Sequence, residues 1–270
     1  MKSFIFWAAV LTVLVGLAFI FYDQPLFHPR QEVQMPAGEE TTSTAEEPVV
    51  RYPVATPAPP TEPLASAEAE ADGDQALPTL SESDETLQQM LHRMLQEQQL
   101  LALLHLQNFI QRFVVTVDSL PEKRISARHL PVRPPQGKFL AAGGSISPEN
   151  AKRYTPYLQL VETLGIEPAV SIYVRYYDLF QEAYRELGYP KGHFNDRFVA
   201  VIDHLLDTPE PKEPIGVVQP LIVYKYADPE LEERSAGQKL LLRIGSDNRT
   251  RARSILRELR GRLTGLGQPN

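Results

Sequence analysis

The chain has 270 residues, contains no cysteine and carries a formal net charge of −7 at pH 7. Without cysteine it cannot form a disulfide, a thiolate metal site or a cysteine nucleophile. The charge is concentrated in residues 23–79, which hold 11 acids against 2 bases, whereas residues 80–270 hold 23 acids and 24 bases, so no basic surface for a nucleic acid partner is expected.

Residues 3–22, from Ser3 to Tyr22, contain no charged side chain. A helix of this length rises about 30 Å, which matches the hydrocarbon core of a bilayer. The stretch is longer than the apolar region of a secretory signal, and no small-residue cleavage site follows it. We therefore predict that residues 1–22 form a cytoplasmic stub and a transmembrane anchor. Lys2 precedes the span and only two bases follow within residues 23–79, which predicts export of the rest of the chain.

Residues 23–79 contain ten prolines, together with Glu, Ala, Thr and Ser. Such a composition buries too little apolar surface to offset the entropy of ordering the chain. We predict a disordered, acidic, Pro-rich linker that holds a domain away from the membrane. An interaction tail with no role in spacing is the alternative.

Apolar residues at three- and four-residue spacing predict a mainly α-helical globular domain over residues 80–263, with a flexible tail at 264–270. Ser81 and Asp84 have capping-box spacing before the first helix. Residues 215–226 are apolar but contain Pro220, which predicts one short extended segment, either an edge strand or a buried stretch. The domain is expected to have six or seven helices, near residues 84–104, 108–120, 147–165, 167–187, 193–207, 228–244 and 246–263.

Metal-ligating residue types are grouped on the predicted helix at 193–207. Imidazole and carboxylate side chains on one helix could bind a metal ion and support a hydrolase. At 100° per residue, however, they lie opposite the apolar face, which favours a polar surface in contact with water. We predict no metal site here and keep these residues as weak candidates: His193, Asp196, Asp203 and His204.

Four tyrosines form a stripe on the predicted helix at 167–187. Tyrosine has a flat apolar body and a polar tip, so an exposed stripe could stack on the sugars of peptidoglycan. The same positions are where a buried helix face must lie, and core packing is the favoured interpretation. The stripe, a possible binding surface, consists of Tyr173, Tyr176, Tyr177 and Tyr184.

The last predicted helix is basic and amphipathic, with Arg253, Arg257 and Arg260 beside a narrow leucine stripe. Such a helix can act as a peripheral clamp on anionic lipid, because arginine binds phosphate and leucine enters the acyl boundary. A helix docked on the domain with a basic outer face is the favoured alternative.

Charged and amide side chains also lie within apolar stretches, at Arg112, Asp118, Asn195 and Arg197. Burying a charge without a partner is costly, so each position implies a partner. An internal network that holds the helices in register is favoured over the lining of a cleft.

Several blocks in order resemble a bacterial family of uncharacterised proteins that have one membrane span, a Pro-rich spacer and a domain of unknown function. The blocks are FVVTVDSLP (113–121), AYRELGYP (183–190), FNDRFVAVIDHLL (194–206), YKYADPELE (224–232) and SAGQKLLLRIG (235–245). The likeness covers residues 80–260. It implies an architecture with one membrane span and a location in the bacterial envelope, and it implies no catalytic or binding residues. Together with the charge bias around residues 3–22, this predicts a single-pass protein of the bacterial inner membrane with its C-terminal domain in the periplasm.

No phosphate-binding loop and no nucleophile elbow occurs in the sequence. We therefore predict no catalytic residues and no cofactor. The leading hypothesis is a non-catalytic interaction or scaffolding module, attached to the inner membrane, that binds an envelope protein or peptidoglycan. A metal-dependent envelope hydrolase and a peripheral clamp on anionic lipid are the alternatives, and the oligomeric state is open.

Overall fold

The computed structural model describes residues 49–54, 78–95 and 98–267. The predicted anchor at residues 3–22 lies outside these ranges, as do the last three residues of the predicted tail and the linker apart from residues 49–54 and 78–79. Within the described ranges, no helix is both long enough and apolar enough to cross a bilayer.

The described part of the chain folds into a mainly α-helical globular domain with eleven α-helices and four short strands. This confirms that the domain is mainly α-helical. The helices are α1 Ser83–Met94, α2 Gln98–Leu101, α3 Phe109–Ser119, α4 Glu149–Lys152, α5 Thr155–Leu164, α6 Ile166–Arg175, α7 Tyr177–Glu186, α8 Phe194–Leu206, α9 Pro229–Glu232, α10 Ala236–Arg243 and α11 Ser246–Gly265.

The helix count exceeds the expected six or seven because four predicted helices are each broken into two. The break before α5 falls at Arg153 and Tyr154, and Pro156 lies in the first turn of α5, where its missing N–H removes no helical hydrogen bond. The break before α10 falls at Ser235, whose backbone is extended and whose Oγ accepts the Gln238 N–H at 3.2 Å. The break between α6 and α7 falls at Tyr176, where the sequence contains no helix-breaking residue.

The main core forms where α3, α7, α8 and α11 meet. Phe113 of α3 is completely buried, and its ring makes edge-to-face contacts with three other rings. Such aromatic pairs contribute about 0.5–1.5 kcal/mol each beyond the burial of their area. The ring centroids lie 5.5 Å from Phe180, 6.1 Å from Phe194 and 5.5 Å from Phe198.

Two short antiparallel hairpins stand beside the helices. Strand β1 (Ala141–Ala142) pairs with β2 (Ser145–Ile146), and strand β3 (Val217–Val218) pairs with β4 (Lys225–Tyr226). A bridge between Ser145 and Gly216 joins them, and we call the unit the paired hairpins. It rests on a second, smaller core formed by Ile215, Val217, Tyr226, Leu231 and Leu242.

The single extended segment predicted at residues 215–226 is therefore a hairpin of two strands. Pro220 lies in the connection between β3 and β4, where its missing N–H removes no bond from the ladder. The other strand pair, β1 and β2, was not predicted. It follows from Gly143 and Gly144, whose φ values of +57° and +74° allow the tight turn between the strands.

Candidate functional site

The candidate site lies on the face of α8 that points away from the main core. His193 enters α8 with extended backbone. The apolar residues of α8 are directed inward. Asp196, Asp203 and His204 lie on the opposite face, and Asn195 lies between the two faces. This face was expected to meet water, but α11 and residues 49–54 cover part of it, and Asn195 is completely buried.

Residues 49–54, with the sequence VVRYPV, lie against α8 and α11, and we call them the strap. The backbone N–H of Arg51 donates to Oδ2 of Asp196 at 2.9 Å, and the N–H of Tyr52 donates to Oδ1 at 2.7 Å. Nδ2 of Asn195 donates to the carbonyl oxygen of Tyr52 at 2.9 Å. Two neighbouring side chains thus bind three polar groups of the strap backbone.

Side chains of the strap complete the contact. Tyr52 and Val54 are partly buried against the main core. Pro53 packs on Gly267, just beyond the end of α11, so closely that a Cβ added to Gly267 would lie 2.5 Å from Cγ of Pro53. We call the surface that binds the strap the groove, and we define it by Asn195, Asp196, Leu263 and Gly267.

A buried polar network beneath the groove fixes the orientation of Asn195. Its Oδ1 accepts the hydroxyl of Tyr173 at 3.2 Å, and its Nδ2 also donates to the carbonyl oxygen of Leu263 at 3.3 Å. The hydroxyl of Tyr177 donates to Oε1 of Gln181 at 3.1 Å and accepts the backbone N–H of Asn195 at 3.4 Å. Burial raises the pKa of Tyr173 and the pKa of Tyr177, so both hydroxyls stay protonated donors at neutral pH.

Electrostatics favour the bond between Asp196 and the strap. Asp196 lies in the first turn of α8, where the helix dipole stabilises a negative charge. The bonds from the strap N–H groups to this carboxylate are charge-assisted, and such bonds are about twice as strong as neutral ones. The groove therefore binds the backbone of the strap at the bend formed by Arg51 and Tyr52, whereas the contacts of Tyr52 and Pro53 depend on the side chains of the strap.

The structure places three of the four candidate tyrosines inside the domain. Tyr173, Tyr176 and Tyr184 are each no more than 5% exposed, and Tyr177 is partly buried. A buried ring has no free face for a sugar, so the stripe does not form the possible glycan surface. Its role here is core packing and, for Tyr173 and Tyr177, support of Asn195 under the groove.

The candidate lipid-binding arginines are mostly engaged within the domain. Arg253 is ion-paired with Glu210 and donates to the carbonyl oxygens of Leu206, at 2.7 Å, and Thr208, at 2.5 Å, at the end of α8. Arg260 forms a two-point contact with Asp203 of α8. These bonds join α11 to α8.

Arg257 is exposed. The three arginines therefore do not form one free basic surface, because two of them bind groups of the domain itself. The helix is docked on the domain, which is the favoured alternative of the sequence analysis.

The weak metal candidates are not brought together. Asp196 binds the strap, Asp203 pairs with Arg260, and Nε2 of His204 contacts Oγ of Ser235 at 2.8 Å. Within residues 49–54, 78–95 and 98–267, no three His, Asp or Glu side chains are grouped so that they could hold a metal ion.

The strap is the part of the candidate site that sequence reasoning missed. Its signal is a short apolar run, with Val49, Val50, Tyr52 and Val54 inside a stretch that otherwise has few large apolar residues. The position was assigned to the disordered linker on its composition, which does not reveal partners that lie far away in sequence. Asn195, by contrast, was identified as a polar residue in an apolar stretch that needs partners.

Comparison with known proteins identifies the family. The family model described as a protein of unknown function, DUF3014, matches residues 109–260, which is more than half of the chain. The match includes Asn195 and Asp196 and excludes the strap and Gly267. No curated protein and no solved structure matches the chain. The domain of unknown function that the resemblance implied is confirmed, and the chain belongs to the DUF3014 family.

Proposed function

We propose that this protein is a membrane-anchored, non-catalytic interaction module whose groove binds a short segment of a partner protein. The observation that carries the proposal is the binding of the strap backbone by Asn195 and Asp196. A surface that holds a short peptide of its own chain through backbone atoms has the chemistry to hold a similar peptide from another chain.

The strap competes with any such partner. It is covalently joined to the domain through residues 55–77, and a segment tethered to its binding site has an effective concentration on the order of 1 mM. A partner peptide must therefore bind more tightly than the strap or act when the strap is released. Backbone recognition favours a protein segment over the sugar chains of peptidoglycan as the partner.

The proposed location follows from residues 3–22, which contain no charged side chain and are predicted to span the membrane, and from Lys2 on their N-terminal side. We place the protein in the bacterial inner membrane as a single-pass protein, with the groove in the periplasm and an envelope protein as its partner. A reporter enzyme that is active only outside the cytoplasm, fused after Asn270, should be active. Activity of a cytoplasmic reporter at the same position would contradict this location.

Peptide binding tests the groove directly. The full chain is purified in detergent micelles with its strap disabled by Tyr52→Asp and Val54→Asp, and a fluorescein-labelled peptide of residues 47–56 (EPVVRYPVAT) is titrated by fluorescence anisotropy. The peptide should bind the strap-disabled chain and bind the wild-type chain at least tenfold more weakly, because the intact strap occupies the groove. Circular dichroism checks that each variant is folded.

The matched pair of controls is Asp196→Ala and Asp178→Ala, each added to the strap-disabled chain. Both acids lie in the first turn of a helix, so the two substitutions remove the same dipole interaction. Asp196→Ala should lower the affinity for the peptide at least tenfold, since two charge-assisted hydrogen bonds are lost, and Asp178→Ala should leave it unchanged. Equal affinities of the two variants, or no binding at all, would contradict the proposal.

A further inference from the structure

A second surface of the domain exposes large apolar side chains. Leu221 is 84% exposed and Ile222 is 70% exposed, in the connection between β3 and β4. Val218 of β3 is 48% exposed, and Leu140, which directly precedes β1, is 42% exposed. We call Pro220, Leu221 and Ile222 the hairpin tip.

The base of this hairpin is firmly held, so the tip is presented by an ordered structure. Tyr226 is buried in the second core, and its hydroxyl donates to the carbonyl oxygen of Lys239 at 2.6 Å. Nε2 of Gln219 donates to the carbonyl oxygen of Ile222 at 2.9 Å, which closes the connection between the strands. The hairpin therefore holds the apolar side chains of the tip in contact with solvent.

The paired hairpins contain no acidic residue. Residues 136–146 and 216–227 include two lysines, Lys138 and Lys225, and neither Asp nor Glu. Both lysines are exposed. The rings of Phe139 and Tyr224, each next to one of these lysines in sequence, lie with centroids 5.3 Å apart, so the two basic positions belong to one surface.

An exposed apolar tip with two exposed lysines at its base has the composition of a segment that enters the interface of an anionic bilayer. The apolar side chains suit the acyl boundary, tyrosine suits the headgroup level, and lysine extends its ammonium group toward phosphate. A tip of three residues is too small for a stable protein interface, which buries about 800 Å² on each partner. The positive charge of the two lysines and the small size of the tip both favour a lipid bilayer over a protein as the partner of this surface.

We propose that the hairpin tip inserts into the interface of an anionic bilayer, with Lys138 and Lys225 at the lipid phosphates. This inference rests on the proposed anchor, which keeps the domain near a membrane. With the strap in the groove, residues 23–48 connect span and domain, and a coil of that length, as the composition predicts, reaches roughly 30 Å. This contact replaces the lipid clamp suggested for the C-terminal arginines, because two of the three bind acids of the domain.

The chain has no cysteine, so a single introduced cysteine can be labelled cleanly. The full chain with Leu221→Cys is labelled with the fluorophore NBD and reconstituted in vesicles of phosphatidylcholine and phosphatidylglycerol at a ratio of 7:3. The vesicles carry a nitroxide-labelled lipid as quencher. The control is Glu186→Cys, an exposed position at the end of α7.

NBD at position 221 should lose at least half of its fluorescence to the nitroxide lipid, whereas NBD at position 186 should be little quenched. In vesicles of phosphatidylcholine alone, or with Lys138→Gln and Lys225→Gln, quenching at position 221 should fall at least twofold. Equal quenching at positions 221 and 186 would overturn insertion of the tip. Disulfide crosslinking of two unlabelled Leu221→Cys chains, together with no quenching of the labelled chain, would show a second copy as the occupant and would also overturn it.

Flotation of the vesicles after extraction with alkaline carbonate reports the anchor separately. Carbonate-resistant flotation without quenching at position 221 contradicts the tip and leaves the anchor intact. Quenching without carbonate-resistant flotation supports the tip and contradicts the anchor. Loss of both signals overturns both proposals.

Discussion

The groove and the hairpin tip expose chemical groups of opposite kinds. The groove lies above the main aromatic core and offers polar atoms, and both oxygens of Asp196 bind the strap. The tip stands on a small second core and offers apolar side chains such as Leu221, which is 84% exposed. A surface that recognises a peptide backbone needs fixed geometry, whereas a surface that enters lipid needs only apolar area and suitable charge.

The largest expected difference between the two regions is in stability. Phe113→Ala should lower the free energy of unfolding by about 3–5 kcal/mol, because it opens a cavity among the packed rings beneath the groove. Leu221→Ala should change it by less than about 0.5 kcal/mol, since the side chain is exposed. Denaturant unfolding of the full chain measures both values. A large loss in Leu221→Ala would mean that the tip is part of the core.

The core that supports the groove was largely predictable from sequence. Helices α3, α8 and α11 were predicted to within two residues at each end, because their apolar residues keep an uninterrupted helical period. Asp118 and Arg197 were identified as buried polar positions that need partners, and they form an ion pair at 2.7 Å.

Unlike the core, the groove and the hairpin tip could not be predicted from the sequence. The strap depends on contacts with Asp196, 144 and 145 residues away, and periodicity carries no information about pairing at that distance. The hairpin was obscured by Pro220, which was expected to interrupt one strand and instead lies between two. The anchor, the location and the partner stay predictions.

A smaller difference in the free energy of unfolding is expected between substitutions at two arginines of α11. Arg253→Ala should lower the free energy of unfolding by about 1–3 kcal/mol, because it leaves the carbonyl groups of Leu206 and Thr208 without their donor and Glu210 without its ion pair. Arg257→Ala, at an exposed position on the same helix, should cost less than about 0.5 kcal/mol.

Unfolding in urea distinguishes the two variants. A loss of stability in Arg253→Ala would also support lipid contact at the hairpin tip rather than at α11. The guanidinium donors of Arg253 cannot bind the domain and a lipid phosphate at the same time. Equal stability of the two variants would mean that the contacts of Arg253 contribute nothing to folding.

The stability of the domain should depend on pH through His204. His204 of α8 contacts Ser235, at the start of the helix that carries Leu242 of the second core. Burial lowers the pKa of His204 below its ordinary 6.5; Asp207 opposes this shift, whereas Arg197 and Arg234 act in the same direction as burial. The unfolded chain therefore binds a proton at a higher pH than the folded one, and stability falls as the pH drops below about 6.5.

Urea midpoints at pH 7.5 and pH 5.5 measure this dependence. His204→Gln should reduce the loss of stability on acidification. His105 also has a lowered pKa, caused mainly by burial, so His105→Gln is the control that retains the contribution of His204. An unchanged pH dependence in His204→Gln would show that protonation of His204 does not affect the stability of the domain.

The smallest expected effect is local to the strap. Gly267→Ala should displace Pro53, because the added Cβ would lie 2.5 Å from its Cγ and 3.0 Å from its carbonyl oxygen. Gly265→Ala is the matched control, since a Cβ there meets no atom within 4 Å. Global stability should stay nearly the same in both variants, but trypsin should cleave after Arg51 several-fold faster in Gly267→Ala. Equal cleavage in both would contradict the close packing of Pro53.

Amide hydrogen exchange of the strap tests the central claim most directly. In the full wild-type chain, the amides of Arg51 and Tyr52 should exchange much more slowly than those of an unstructured peptide, because both donate to Asp196. Asp196→Ala should remove this protection and leave the amide of Val114, in the main core, as slow as before. Free exchange of Arg51 and Tyr52 in the wild-type chain would contradict the groove as a peptide-binding site.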